Sequence, residues 1–139
     1  MKTEDSFQDR LQNDFENLGW YCPHLSPPNE HGFPDLLVMA GGRGFFIEVK
    51  DFMQIGPKEV FSALFQIAQP PYYLKRLLNV TPVVIAGYYR QTPIFSVLSD
   101  RQQILNFFKM GRDDWIEQYG LVYYGPESIL KTVYHDPIS

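Results

Sequence analysis

The chain has 139 residues, 45% of them apolar and 20% charged, with a net charge of −4. These totals exclude a disordered chain, a helix-spanning membrane protein with its run of roughly 18 apolar residues, and a strongly basic nucleic-acid coat protein. They leave open an enzyme whose acidic residues hold metal ions, because bound ions restore positive charge locally.

The length fits one domain covering 1–139. The opening MKTEDSFQDR is polar and acidic, so it does not read as a signal peptide. A single cysteine, Cys22, rules out an internal disulfide, and reducing cytoplasm is the simplest compartment.

In chain order, Thr3 to Leu18 reads as an amphipathic helix with Phe7, Leu11, Phe15 and Leu18 on one face, ended by Gly19. Trp20 to Cys22 suggests a short strand, and 24–32 is a proline-rich loop. Two strands follow, 35–40 and 44–50, joined by GGR as an antiparallel hairpin. Gly56-Pro57 opens a helix to about Ala68, where Pro70-Pro71 interrupts it before a further helical piece to Leu78. Strands are expected at 82–89 and 93–98, paired with each other. A helix capped by Ser99-Asp100 then runs to about Lys109 and is stopped by Gly111. A short helix near Trp115, a strand at 121–124 and an unassigned tail complete the chain. The order gives an α/β fold with a central mixed sheet flanked by helices.

The chemistry concentrates in 32–50, GFPDLLVMAGGRGFFIEVK. Glu48 and Lys50 are two apart on an extended strand, so they share a face with Phe46, while Ile47 and Val49 point the other way. Asp35 opens the preceding strand and lies beside the end of its hairpin partner. Two carboxylates so placed repel each other unless a cation lies between them. Hard oxygen ligands at a partly open site suit Mg²⁺, which takes one or two carboxylates and keeps several waters. Such a metal polarises a phosphoryl oxygen and supplies hydroxide, and the neighbouring lysine orients or helps deprotonate water. The plainer reading is a surface hairpin carrying an ordinary Glu-Lys pair. Against it, both strands read as buried, where charge needs a reason.

The stretch Gly32-Phe33-Pro34-Asp35, followed after 12 intervening residues by Glu48 within Ile47-Glu48-Val49-Lys50, resembles the PD-(D/E)xK nuclease superfamily. It is most similar to the small phage nucleases of the VRR-NUC and Holliday-junction-resolvase-like groups, and the likeness covers residues 3 to about 90. The resemblance implies a restriction-endonuclease-like core in which Asp35, Glu48 and the Val49 carbonyl ligate Mg²⁺, with Mn²⁺ able to substitute, and Lys50 is the catalytic lysine. The family often adds an acid from the first helix. Taking Phe7 as zero at about 100° per residue, the apolar arc spans roughly 0–80°, Glu4 falls near 60° and Asp14 near −20°. Glu4 is therefore the first candidate, Asp14 the second, and Gln8 lies one turn on from Glu4. An N-terminal helix charge is the alternative role for Glu4. Relatives also carry a glutamine after the lysine, for which Gln69 is favoured over Gln66.

The expected function is a Mg²⁺-dependent DNA endonuclease, structure-specific in the manner of a junction resolvase and working as a homodimer or higher oligomer in the cytoplasm, that of a bacterial host cell if phage-encoded. The alternatives are a sequence-specific homing or restriction type, and a non-catalytic nuclease-fold module that binds DNA or acts as a scaffold. Lys75, Arg76 and Arg90 are candidate phosphate contacts. His24 and His31 flank the proline loop and could touch DNA, and Arg43 keeps the hairpin turn soluble. Trp115, Tyr119, Tyr123 and Tyr124 read first as core and second as a dimer interface.

Overall fold

The computed structural model describes residues 4–25, 34–65 and 82–134, without the side chains of Glu4 and Asp5. Helix α1 (Glu4–Asn17) leads into strands β1 (Leu36–Ala40) and β2 (Arg43–Val49). Two 3-10 turns, Phe52–Gln54 and Phe61–Leu64, precede β3 (Val83–Tyr89) and β4 (Thr92–Leu98). Helices α2 (Arg101–Phe107) and α3 (Arg112–Tyr119), strand β5 (Leu121–Val122) and helix α4 (Pro126–Tyr134) follow. The chain is thus an α/β protein with helices flanking a five-stranded mixed sheet of order β1-β2-β3-β4-β5. β2 and β3 are parallel, and the other neighbouring pairs are antiparallel.

Period-two alternation sorts the sheet residues between two cores. On one face Phe45, Ile47 and Val49 of β2 and Val84 and Ala86 of β3 pack with Phe7, Leu11 and Phe15 of α1 and Ile129 and Val133 of α4. On the opposite face Val83, Ile85, Ile94 and Leu98 pack with Phe52, Phe61, Phe107 and Trp115. Trp115 lies nearly parallel to the Phe61 ring at 5.1 Å, and its indole N–H donates to Ser96 Oγ at 3.2 Å.

The Gly41-Gly42 pair turns the β1–β2 hairpin with φ of +55° and +79°, the left-handed conformations a two-residue hairpin loop requires. Arg43 is the first residue of β2 and lies outside this turn; its guanidinium sits over the Tyr134 ring at 4.9 Å. The expected strand at Trp20–Cys22 is reduced to isolated bridges, Tyr21 to Met39 and His24 to Leu36. β1 is also less buried than its composition suggests, with Met39 39% exposed.

The helix expected from Gly56-Pro57 onward does not form over its described part. Its backbone groups bind elsewhere: Phe61 N donates to Met110 O, Arg112 N to Glu59 O and Asp113 N to Pro57 O. Val60 takes an extended ψ of 137° and bridges Gly111. The expected continuation to Ala68 and Leu78 lies outside the described residues. Asp100 caps α2 with a full capping box through Gln103. That helix ends at Phe107, and Gly111 caps the start of α3 rather than closing α2. The tail from Pro126 forms α4. No helix among the described residues is long and apolar enough to cross a membrane.

Candidate active site

The β1–β2 register pairs Leu36 with Ile47, which sets Asp35 beside Glu48 at the open end of the hairpin. Ile47 and Val49 face α1, so Glu48 and Lys50 project from the opposite face. Leu36 and Val38 also face α1, and Asp35 stands in the bend just before β1, with its carboxylate at the Val49 amide. The structure brings these three residues to one end of the sheet, with Glu48 and Lys50 on one face as the alternation predicts.

Glu48 is 2% exposed, in the middle of the sheet where β2 pairs with Ile85 of β3. Lys50 Nζ donates to Glu48 Oε2 at 2.9 Å, and the lysine side chain is 14% exposed. The ammonium also lies over the Phe65 ring at 5.2 Å. A buried carboxylate without compensating charge is costly, and this short ion pair offsets that cost.

Asp35 is partly buried, and its Oδ2 accepts a hydrogen bond from the Val49 amide at 2.8 Å. The Lys50 amide turns the other way, to Ala86 O of β3 at 2.9 Å. In an extended strand a residue's N–H and C=O share an edge, so the Val49 carbonyl belongs to the Asp35 side. The donors gathered here are two carboxylates and one carbonyl. That hard-oxygen set fits Mg²⁺, which is commonly held by one or two carboxylates with waters completing its shell. Among the described residues no group of three His, Cys, Asp or Glu side chains is arranged to hold a metal ion.

What fixes Lys50 is the exit of the chain from β2. After Val49 the backbone crosses over β3 at Gly87, whose missing side chain makes room for the Lys50 carbonyl and the Phe52 ring. Asp51 then caps the first 3-10 turn by accepting from Met53 N at 3.0 Å. The buried Arg112 completes the anchor, with Nη1 donating to Ile55 O at 2.6 Å and Nε to Asp113 Oδ1 at 3.0 Å. The sequence reading missed Arg112, and no local pattern marks an arginine at a helix start as buried.

The other candidates divide. α1 lies on the face away from Glu48 and Lys50, but Phe7 packs on Tyr88 at 4.8 Å, which brings the start of α1 to the site's end of the sheet. The Glu4 side chain lies outside the described residues, as do Gln66, Gln69, Lys75, Arg76 and His31. Gln8 is partly buried on α1. Asp14 is engaged elsewhere: it accepts from Tyr123 OH at 2.7 Å and lies 3.8 Å from Arg10. Burial together with that Asp14 contact pushes the Tyr123 hydroxyl far above its ordinary range. His24 is tied to α1, with Nε2 3.1 Å from Gln12 Oε1 and 3.5 Å from Asp9 Oδ1. Of the C-terminal aromatics, Trp115 and Tyr123 are buried and Tyr124 is 85% exposed.

Compared with protein-family models and with curated proteins, the sequence matches none.

Proposed function

We propose that this protein is a Mg²⁺-dependent DNA endonuclease of the PD-(D/E)xK kind. The observation that supports the reading is the convergence of Asp35, Glu48 and Lys50 at one end of the sheet, with the Lys50–Glu48 pair at 2.9 Å and Asp35 at the Val49 amide between them. Asp35, Glu48 and the Val49 carbonyl would hold the metal, and the helix-borne Glu4 is proposed to add a further oxygen. When bound, the ion supplies charge neutralisation at the phosphate and an acidified water.

The chain's own residues orient the reaction. The Val49 amide fixes the Asp35 carboxylate, and Gly87 fixes the path of Lys50. The Lys50 ammonium is thereby a held donor beside the carboxylates, placed to orient the attacking water and to stabilise negative charge developing on the phosphate. The attacking water gives up a proton to solvent as its oxygen bonds to phosphorus, the bond from phosphorus to one bridging ester oxygen breaks, and that oxygen takes a proton from solvent water and departs as an alcohol. Gln69 is proposed to contact the scissile phosphate.

Within this reading a structure-specific, junction-resolvase-like activity in a homo-oligomer is favoured over a sequence-specific one. The competing reading is a non-catalytic nuclease-fold module, to which the net charge of −4 lends some support. A Mg²⁺-dependent cleavage assay on linear duplex, single strand, four-way junction and supercoiled plasmid separates these readings. Junction cutting that is lost in Lys50→Ala supports the proposal, and discrete plasmid sites support sequence specificity. No cutting of any substrate with Mg²⁺ or Mn²⁺ would overturn the catalytic reading.

A further inference from the structure

The β3–β4 hairpin turns through Arg90 and Gln91, with Tyr89 paired to Thr92. The two turn residues have φ of +49° and +68°. A two-residue hairpin loop demands such left-handed conformations, which Asn-Gly adopts readily and long L side chains do not. Strain of this kind persists where something else is gained.

Here the gain is an exposed, held cation. The Arg90 guanidinium lies over the Tyr89 ring at 4.9 Å, and Tyr89 OH donates to Asp113 Oδ1 at 2.8 Å. Burial pushes the Asp113 carboxyl up, but the hydrogen bonds from Tyr89 and Arg112 and the charges of Arg112 and Arg90 outweigh it and hold the group below its usual range. Its negative charge is met at close range by Arg112, at 3.0 Å, whereas Arg90 reaches it only at 3.9 Å. The exposed acids Asp114 and Glu117 stand on the same helix, so the cation this corner offers is Arg90 itself rather than a net positive patch. Asp114 lies about 100° further round α3. The Arg112 side chain is 5% exposed and that of Arg90 is 66% exposed, so the accessible charge is Arg90's.

The corner belongs to the same end and face as the carboxylates. Tyr89 packs on the face opposite α1, and the segment leaving Lys50 reaches Arg112 through Ile55. Arg90 lies three residues past Gly87, against which the Lys50 backbone rests, or about 10 Å at strand rise. A DNA strand advances about 3.4 Å per nucleotide along its axis, so this span corresponds to about three nucleotides.

We infer that Arg90 is a phosphate-binding residue, holding the sugar–phosphate backbone of a DNA substrate a few nucleotides from the bond cut at Asp35, Glu48 and Lys50. The inference rests on the nuclease reading above.

Arg90→Gly tests it, because glycine suits the positive φ and removes the cation, and Arg90→Lys keeps a charge. Binding of a fluorescent duplex is measured by anisotropy in Ca²⁺ across a salt series, with KM and kcat in Mg²⁺ and the melting temperature alongside. For Arg90→Gly the slope of log affinity against log salt is expected to fall by about 0.9, with binding weaker by roughly five- to tenfold at 0.1 M salt. KM should rise more than kcat falls, Tm should hold or rise, and Arg90→Lys should keep most of the salt slope. A wild-type slope and KM in Arg90→Gly would overturn the phosphate contact while leaving the nuclease reading in place. Weaker binding that merely tracks a lowered Tm would also overturn it, by assigning Arg90 a structural role. A wild-type protein that neither binds nor cuts DNA would sink the nuclease reading and this inference together.

Discussion

The carbonyl oxygen of Lys50 rests against Gly87, in the space a side chain there would fill. Gly87→Ala therefore forces either the Lys50 backbone or the Phe52 ring to move. Overpacking of this kind costs about 1–3 kcal/mol. Urea unfolding should show that loss, and the proposed nuclease activity should fall further than stability does, because the displaced residue is Lys50 itself.

Lys50 and Glu48 form a largely buried ion pair, 14% and 2% exposed. Lys50→Met leaves the Glu48 charge without its cation, and breaking such a pair costs about 3–5 kcal/mol. Glu48→Leu combined with Lys50→Met removes both charges and should recover most of that stability while leaving the protein without activity. A double-mutant cycle by urea titration measures the coupling. Additive effects would show that the two residues stand independently.

Arg112 donates to the Ile55 carbonyl and to Asp113 from a buried position. Arg112→Ala should destabilise by about 2–3 kcal/mol, the scale of charge-assisted hydrogen bonds. Arg112→Lys should recover little of this, because an ammonium cannot reproduce the planar fork of donors. Equal unfolding midpoints for wild type and Arg112→Ala would contradict the anchoring role.

Cys22 is buried, and burial, with the Glu16 charge adding to it, pushes its thiol up to about 12 from an ordinary 9.0. The native thiol should resist alkylation at pH 8 and react at the rate of global unfolding. The folded state holds this proton more tightly than the unfolded chain. The group's contribution to stability is therefore intact below pH 9 and is lost as pH rises towards 12. Rapid labelling of the native protein at pH 8 would contradict this.

The parts legible in the sequence are those set by neighbours along the chain. Gly41-Gly42 and the alternation of 44–50 place Asp35, Glu48 and Lys50 together, and Asp100 with Gln103 writes a capping box. The parts not legible are set by distant partners. Gly56-Pro57 carries a helix-start signal, but residues 57–61 bind the backbone of 110–113 instead. Asp14 falls near the right arc of the helical wheel, but Tyr123, far along the chain, claims it. Gly111 has the composition of a helix stop and starts α3, where a side chain would press on the Lys58 backbone. Helix α4 was within reach of a sequence reading: Pro126 and Glu127 mark a first turn, and Ile129 and Val133 stand four apart.

The central claim rests on the Asp35 carboxylate holding a metal ion against the scissile phosphate. Asp35→Asn keeps an oxygen that can accept from the Val49 amide and removes only the charge. The decisive measurement is single-turnover nicking of supercoiled plasmid in Mg²⁺ by wild type and Asp35→Asn, each shown by circular dichroism to be folded. The account predicts nicking by the wild type and a loss of at least roughly 10²-fold in the variant, the scale of a preorganised charge in a catalytic site. Equal nicking by both proteins, or none by the wild type, would contradict it.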